Sequence, residues 1–332
     1  MIKHEVIREY IKRFPDHADL TIAKKIYADH PLIWAKVETI RTAIRGIKGR
    51  KSRTKGGCEY SDKSLYQAKT YNTNPYKLPE SEEKIREPFV LPLANNNILL
   101  ISDLHIPYHN ISAITAALDY GQKENVNTVV INGDLLDFAT ISRFEKDLRK
   151  RSVKHEFDTT KEFLRILRAT FPNAQIYWLK GNHCIRYEHY LMAKAPEIFD
   201  DPYYSMEERL RLNEERIHLL GDKVLMKAGK LFIHHGHLFF KGFGAPVNAA
   251  RGLFLKVKQS AIVGHTHRIS EHSEVSLDGS LITCWSTGSL CELSPEYSPF
   301  ANNYAHGFAH IRTDDLGNYS VKNFRILKGK IL

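Results

Sequence analysis

The hydrophobic and polar positions divide the chain into three stretches with different periods. From Met1 to about Arg53 the apolar residues recur at helical spacing. Val6, Tyr10, Ile11 and Phe14 form one amphipathic stripe that ends near Pro15, Ile22, Ala23 and Ile26 a second stopped by Pro31, and Val37, Ile40, Ile44 and Ile47 a third. Three short helices in succession fit a helix-turn-helix module. From Gly56 to about Asn97 polar residues dominate, prolines stand at positions 75, 79, 88 and 92, and no period persists, which predicts a linker. Beyond it, short apolar runs alternate with amphipathic stretches. Strands are predicted at Ile98–Ile101, Val129–Ile131, Ile176–Leu179, Leu231–Ile233 and Ala261–Val263, and helices around 111 to 124, 158 to 170, 185 to 194 and 246 to 258. Glu274–Leu277, Leu281–Thr283 and His310–Arg312 predict further strands, with turns at Asp278-Gly279 and Leu316-Gly317. The expected organisation is a small helical domain over 1–55, a linker over 56–95 and a layered α/β domain over 96–332.

Composition narrows the class. The 332 residues are 42% hydrophobic and 26% charged, ordinary globular values, which excludes a disordered or fibrous chain. No window approaches the roughly 18 uninterrupted apolar residues of a membrane span, and Met1-Ile2-Lys3-His4-Glu5 does not lead into an apolar segment, so no membrane association is expected and the cytoplasm is the default. Cys58, Cys184, Cys284 and Cys291 are too few and too scattered for a disulfide framework and read as free thiols. The net charge is +10, and the first sixty residues hold 14 Lys plus Arg against seven Asp plus Glu, about +7. Arg41, Arg45, Lys48, Arg50 and Lys51, on the third helix and the tail after it, form a set that would neutralise phosphates of a nucleic acid. The charged outer face of any helical bundle explains them equally well.

The chemistry lies where the five apolar runs end. They are followed in turn by Ser102-Asp103-Leu104-His105, Asn132-Gly133-Asp134, Lys180-Gly181-Asn182-His183, His234-His235-Gly236-His237 and Gly264-His265-Thr266-His267. Ligands of α/β sheets bind beyond the carboxyl ends of the strands, so five such loops would meet in one place and fill it with carboxylates, imidazoles and an amide. Imidazole is the commonest metal ligand, and the chain has 17 histidines. Each string is weak alone, but all five in order, each after an apolar run, are not a coincidence.

Together the five motifs resemble the calcineurin-like metallophosphoesterases, with the pattern D-x-H, G-D-x-x-D, G-N-H, H-G-H and G-H-x-H intact over roughly 96 to 325. The resemblance implies a four-layer αββα sandwich carrying two divalent metal ions. Carried over motif by motif, Asp103, His105 and His267 would hold one ion, Asn182, His235 and His265 the other, and Asp134 would bridge them. The choice of His235 over His234 and His237 rests on the family pattern alone. Oxygen and imidazole donors without thiolate suit Mn²⁺, the first expectation, or Fe or Zn²⁺. Such a pair of ions, about 3.5–4 Å apart, activates a water for in-line attack on a phosphoester.

By the same resemblance His183 would protonate or stabilise the leaving group, and Asp137 would orient it and raise its pKa. A helix cap is the alternative role for Asp137. His109 is a candidate for facing the substrate phosphate, or else a solvated loop histidine. Arg186 is a candidate bidentate phosphate ligand, or else a helix-surface arginine. Trp285-Ser286-Thr287-Gly288-Ser289 resembles a structural small-residue turn of the family. Two departures matter. Cys184 follows Gly-Asn-His where many relatives have an acid, and Phe138-Ala139 replaces the Arg-Gly of the serine/threonine protein phosphatases, which disfavours that branch.

Three functions compete at this point. The first is a phosphoesterase acting on a nucleic-acid or nucleotide substrate, brought there by its helical head. The second is a phosphomonoesterase for small or protein phosphoesters, with the head as a protein-interaction module. The third is a non-catalytic scaffold, which the intact ligand set disfavours. A helix-turn-helix fused to a hydrolase suits a bacterial or phage-encoded protein, while oligomeric state stays open.

Overall fold

The computed structural model describes residues 3–48, 74, 76–79, 82–83, 86–142, 152–240, 247–295, 300 and 302–332. The chain divides into two compact units, Met1–Lys84 and Ile85–Leu332. In the first, the three predicted helices form as α1 (Lys3–Arg13), α2 (Asp19–Asp29) and α3 (Val37–Ile47). Their stripes meet in one core in which Ile22, Ala23, Ile26, Ile40 and Ile44 are fully buried, closed by Val6, Ile7 and Trp34. Periodicity alone accounts for this packing, because each helix has a single apolar face to bury.

In the second unit the chain runs through β1 (Phe89–Val90), β2 (Asn97–Ile101), α4 (Ile111–Lys123), β3 (Thr128–Asn132), α5 (Val153–Thr170), β4 (Gln175–Leu179), α6 (Ile185–Lys194), α7 (Met206–Leu210) and β5 (Ile217–Leu220). It continues through β6 (Met226–Ala228), β7 (Leu231–His234), α8 (Ala249–Val257), β8 (Ala261–Val263), β9 (Ser270–Val275), β10 (Leu281–Ser286), β11 (His306–Thr313), β12 (Tyr319–Leu327) and β13 (Lys330–Ile331). All five predicted core strands are present. Phe89 and Val90, inside the span read as a linker, instead form an edge strand parallel to β6. Trp285 and Ser286, read as part of a turn, belong to β10, where they pair with both β8 and β9.

The strands form a seven-stranded sheet in the order β13-β12-β11-β2-β3-β4-β5 and a six-stranded sheet in the order β1-β6-β7-β8-β10-β9. Strands β2 to β5 run parallel, as do β7, β8 and β10. The apolar clusters fall between successive layers. Leu99 and Ile101 of β2 pack with α4 and α5 through Ala113, Ala117, Phe157 and Leu164. Ile98 and Leu100, on the opposite face, pack with Met226, Leu231, Ile233 and Ile262 of the other sheet. The far face of that sheet buries Ala261, Val263 and Cys284 against Ala250, Leu253 and Phe254 of α8. The order is helix, sheet, sheet, helix, the expected four-layer α/β sandwich.

Strand β2 is apolar on both faces because both are covered. Its four fully buried aliphatic side chains, Ile98 to Ile101, each stabilise the fold by roughly 1.5–3 kcal/mol. That anchors the strand whose end carries Asp103. Among the described residues no helix is long and apolar enough to cross a membrane, and Cys184, Cys284 and Cys291 are free thiols. Cys58 lies outside the described residues.

Candidate metal centre

The parallel strands of both sheets direct their carboxyl ends to a common edge, where the loops interlock. Asn132, the last residue of β3, donates its side-chain amide to the carbonyl of His234 at the end of β7 (3.1 Å). Its own carbonyl lies 2.9 Å from Nδ1 of His235 and accepts from Ser102 Oγ at 2.8 Å. Loops distant in sequence are thus tied together by backbone groups before any ligand is considered.

Two aspartates share one plan. Asp103 uses Oδ2 to accept from the backbone N–H of His265 (2.9 Å) and from the hydroxyl of Ser102. Its Oδ1 points inward, 3.2 Å from His267 Nε2, 3.8 Å from His105 Nε2 and 4.0 Å from His235 Nε2. Asp134 uses Oδ1 to accept from the backbone N–H of His183 (2.8 Å). Its Oδ2 faces His235 Nε2 at 3.0 Å and His105 Nε2 at 3.9 Å. Each carboxylate is fixed by a backbone donor from another motif, leaving one oxygen for the centre. Asn182 places Oδ1 3.2 Å from His235 Nε2, and the donors of Asp134, His235 and His265 lie within 4.8 Å of one another, as do those of Asp103, His105 and Asp134. All seven residues expected to hold metal come together at this edge, their donors in overlapping groups, with Asp134 near both His105 and His235.

The backbone bears the cost of this convergence. Asp103, His105, Asp134, His265 and His267 have φ of 56°, 47°, 36°, 64° and 56°. The left-handed region costs a residue with a side chain on the order of 1–3 kcal/mol, and such strain concentrates at functional sites. The motif glycines have a separate cause. A Cβ at Gly181 would lie 2.2 Å from Asp134 Oδ1, and one at Gly264 would lie 1.9 Å from Ser102 Oγ and 2.5 Å from Asp103 Oδ2. Glycine stands where the aspartate of another loop passes against the backbone.

The electrostatics suit cations. Burial disfavours the charged forms of Asp103 and Asp134, yet the neighbouring imidazoles, His235 first, hold both carboxyls well below the usual range. Burial pulls His105, His235 and His267 down, but the carboxylates outweigh it and raise them to about 10, 9 and 9. His265, lowered to about 3 by burial and by His235, is neutral and ready to ligate. The donor set fits a pair of divalent cations. Asp103 Oδ1 is buried without a hydrogen-bond donor, and the Nε2 atoms of His105 and His267 face each other at 3.2 Å, an arrangement that a shared cation or proton satisfies. His105 Nδ1 is backed by Asp137 Oδ1 (2.8 Å), the orientation a ligating imidazole needs.

Geometry also separates the three histidines of the fourth motif. His234 accepts from Gly236 N–H at Nδ1 (2.8 Å), and its Nε2 lies 3.2 Å from the Asp222 carbonyl, so both nitrogens are engaged away from the centre. His237 lies 3.8 Å from an Asp222 carboxylate oxygen. Only His235 turns Nε2 to the aspartates.

Asp137 does not cap a helix. Its Oδ1 lies 3.0 Å from His183 Nδ1 as well as against His105. The expected rise in the His183 pKa is absent, because burial lowers it and the charge on His105 adds to that, outweighing Asp134 and Asp137. Arg186, at the start of α6, donates to the Asp137 carbonyl (3.0 Å) and reaches His183 Nε2 at 2.9 Å, so it belongs to this network and not to the outer helix surface. His109 is half-buried, bridges by its backbone to Cys291, and is in none of the donor groups among the described residues. Cys184 is packed in the apolar core, its thiol pushed up to about 12 by burial.

One residue escaped the motifs. Cys291 Sγ lies 3.9 Å from His267 Nδ1, and its donor groups with those of His105 and His267. It follows no apolar run and belongs to no short string, so only the fold reveals it.

Of the residues considered for nucleic acid, Arg41 pairs with Glu38 (3.3 Å) and Lys48 with Asp19 (2.9 Å). Arg45 is half-buried in the last turn of α3. Arg50 and Lys51 lie outside the described residues.

The sequence model described as calcineurin-like phosphoesterase matches residues 97–269. The Gene 54 protein of Mycobacterium phage L5 is 25% identical over 231 residues, covering 66% of this chain and 90% of that protein. Among solved structures, Vacuolar Protein Sorting 29 from Cryptosporidium parvum has 16% identity and a TM-score of 0.39, covering 71% of this chain and 94% of that one. The E. coli phosphoesterase Yfce has 14% identity and a TM-score of 0.35, covering 66% and 88%.

Proposed function

Since the chain belongs to the calcineurin-like phosphoesterase family, we propose that it is a dinuclear-metal phosphoesterase that hydrolyses phosphodiesters of nucleotides or nucleic acid. The observation that carries this reading is the seven-residue cluster, in which the inner oxygen of Asp134 faces His235 at 3.0 Å and His105 at 3.9 Å. Asp103, His105 and His267 would hold one ion, and Asn182, His235 and His265 the other. Asp134 would contribute to both, because a carboxylate can cancel part of the charge of two cations. Mn²⁺ is the first candidate, with Fe and Zn²⁺ as alternatives. When bound, such ions polarise the phosphoryl oxygens and lower the pKa of a water for in-line attack.

The residues of the chain supply the rest. Asp137 keeps a proton on Nδ1 of His105 and leaves Nε2 to the centre. On the leaving-group side, His183 and Arg186 act as a unit. Asp137 holds His183 through Nδ1, and Arg186 covers Nε2, so the guanidinium lies beside the imidazole where negative charge develops. Arg186 and His183 would thereby stabilise the negative charge on the departing oxygen, which takes its proton from solvent.

The basic charge of the first sixty residues supports a polyanionic substrate, with Arg45 the candidate contact on α3. The mycobacteriophage relative supports a phage or bacterial setting. The test is a screen of the Mn²⁺-loaded full chain against aryl phosphomonoesters, aryl phosphodiesters, and single- and double-stranded nucleic acids. The expected outcome is turnover of diesters, and nucleic-acid affinity falling with salt by a slope of roughly −0.9 per phosphate contacted on duplex DNA. Turnover of monoesters alone with salt-independent binding overturns the substrate assignment, and no turnover of any phosphoester overturns the enzyme.

A further inference from the structure

Glu156, in the first turn of α5, is a carboxylate only 2% exposed. An acid in that turn ordinarily favours the helix dipole from the solvent side, but this one turns into the molecule. Its Oε2 accepts from the backbone N–H of Phe138 at 2.5 Å, and its Oε1 lies 3.4 Å from the Thr140 hydroxyl. Burying a carboxylate is costly, and bonds of this kind offset the cost. The peptide it holds joins Asp137 to Phe138, and the other end of that peptide faces the leaving-group pair. The Asp137 carbonyl accepts from Arg186 at 3.0 Å and lies 3.0 Å from His183 Nδ1. Through its other terminal nitrogen the same Arg186 reaches His183 Nε2 at 2.9 Å. Glu156, one peptide group, Arg186 and His183 thus form a single chain of hydrogen bonds.

A peptide group is planar, with its N–H and C=O on opposite sides, so fixing the direction of one fixes the other. Phe138 makes that fixing necessary. Its φ of 50° is left-handed, which a bulky residue rarely adopts, while its buried ring packs on Phe157 and Tyr187 with centroids at 5.4 and 5.6 Å. Removing the acceptor on α5 leaves a buried N–H to be satisfied elsewhere. A peptide that rotates to do so takes its carbonyl away from Arg186.

We infer that Glu156 is a positioning residue for the leaving-group side of the site: by holding the Phe138 N–H it fixes the Asp137 carbonyl, which in turn keeps the guanidinium of Arg186 on His183. The inference rests on the leaving-group role proposed above for Arg186 and His183, and extends it to a residue on α5 outside the five motifs. Glu156 acts through the peptide and touches no reacting group.

The experiment compares the phenyl and p-nitrophenyl esters of thymidine 5′-phosphate, using the Mn²⁺-loaded full chain and its E156L, E156Q and R186M variants. Phenolate is the poorer leaving group and depends more on stabilisation of the departing oxygen. The expected result for E156L is a kcat lowered about tenfold or more for the phenyl ester and less for the p-nitrophenyl ester, with KM little changed. R186M is expected to show the same selectivity. E156Q keeps an acceptor oxygen for the Phe138 N–H and is expected to restore kcat. Equal losses on the two esters in E156L, or E156Q as impaired as E156L, overturn the inference. A second readout needs neither turnover nor a folded E156L. In the metal-chelated chain labelled with ¹⁵N-phenylalanine, the Phe138 amide proton is expected far downfield, as donation to a carboxylate requires, and to move upfield in both E156Q and R186M. A Phe138 resonance that R186M leaves in place contradicts the coupling through the peptide. Failure of the leaving-group reading shows separately, as R186M slowing both esters alike or neither, and failure of the phosphodiesterase reading as no hydrolysis of either ester by any form.

Discussion

At the scale of residues, the centre is organised by how each side chain is divided between holding and presenting. Asp103 and Asp134 each give one oxygen to a backbone N–H of another motif and turn the other inward. His105 and His235 give Nδ1 to Asp137 and to the Asn132 carbonyl and turn Nε2 inward. This division has a pH consequence. His105, His235 and His267 are raised from 6.5 to about 10, 9 and 9 by the carboxylates around them. A folded-state pKa above the unfolded one adds stability that is complete below the unfolded pKa and is lost as pH rises through the folded one. The chelated protein is therefore expected to lose Tm steadily above neutral pH toward 10. Metal must displace the same protons, so the apparent Kd for Mn²⁺ is expected to fall as pH rises from about 6 to 8, with proton release in calorimetric titrations run in buffers of different ionisation enthalpy. A Kd flat across that range, with no protons released, would contradict the ligand set.

At the scale of elements, loops from both sheets interpenetrate, and glycine sets the clearance. Gly181→Ala puts a methyl group 2.2 Å from Asp134 Oδ1 and 2.5 Å from the Asp134 backbone nitrogen. The expected outcome is a loss of about 1–3 kcal/mol in stability and a weakening of metal affinity, read by denaturant melts and metal titration. Gly46→Ala, where a Cβ meets nothing within 4 Å on α3, is the control and is expected to stabilise by roughly 0.5–1 kcal/mol. Equal effects at the two positions would show that the close approach at Gly181 is unimportant. The elements carrying the site were legible in the sequence because their strands are buried on both faces and read as continuous apolar runs, as Ile98–Ile101 does. The half-exposed β12, with its irregular burial, and the short β5 and β6 lack that signal. The pairing of β1 with β6 depends on partners 137 positions away that no local pattern announces. Among site residues, Asp103, Asp134 and the histidines of the short strings could be found by motif. Cys291 beside His267, and Arg186 on the Nε2 of His183, depend on tertiary contact and could not.

At the scale of the whole molecule, two sheets with helices outside them bring five separate stretches of chain to one edge. The aliphatic cores beneath that edge support the left-handed backbone at five of the converging residues. Lys48 and Arg41 of the N-terminal unit pair with Asp19 and Glu38 within that unit, and Arg45 is half-buried in the last turn of α3. Everything proposed about chemistry follows from one arrangement, seven donors gathered at one edge with Asp134 near both His105 and His235. The most direct measurement is the metal content of the Mn²⁺-reconstituted full chain, by elemental analysis after removal of free ion, beside that of Asp134→Asn. The account predicts two ions per chain in the wild type and fewer than two in the variant with the fold retained by circular dichroism. A wild type that binds one ion or none, or a variant that keeps both, would contradict it.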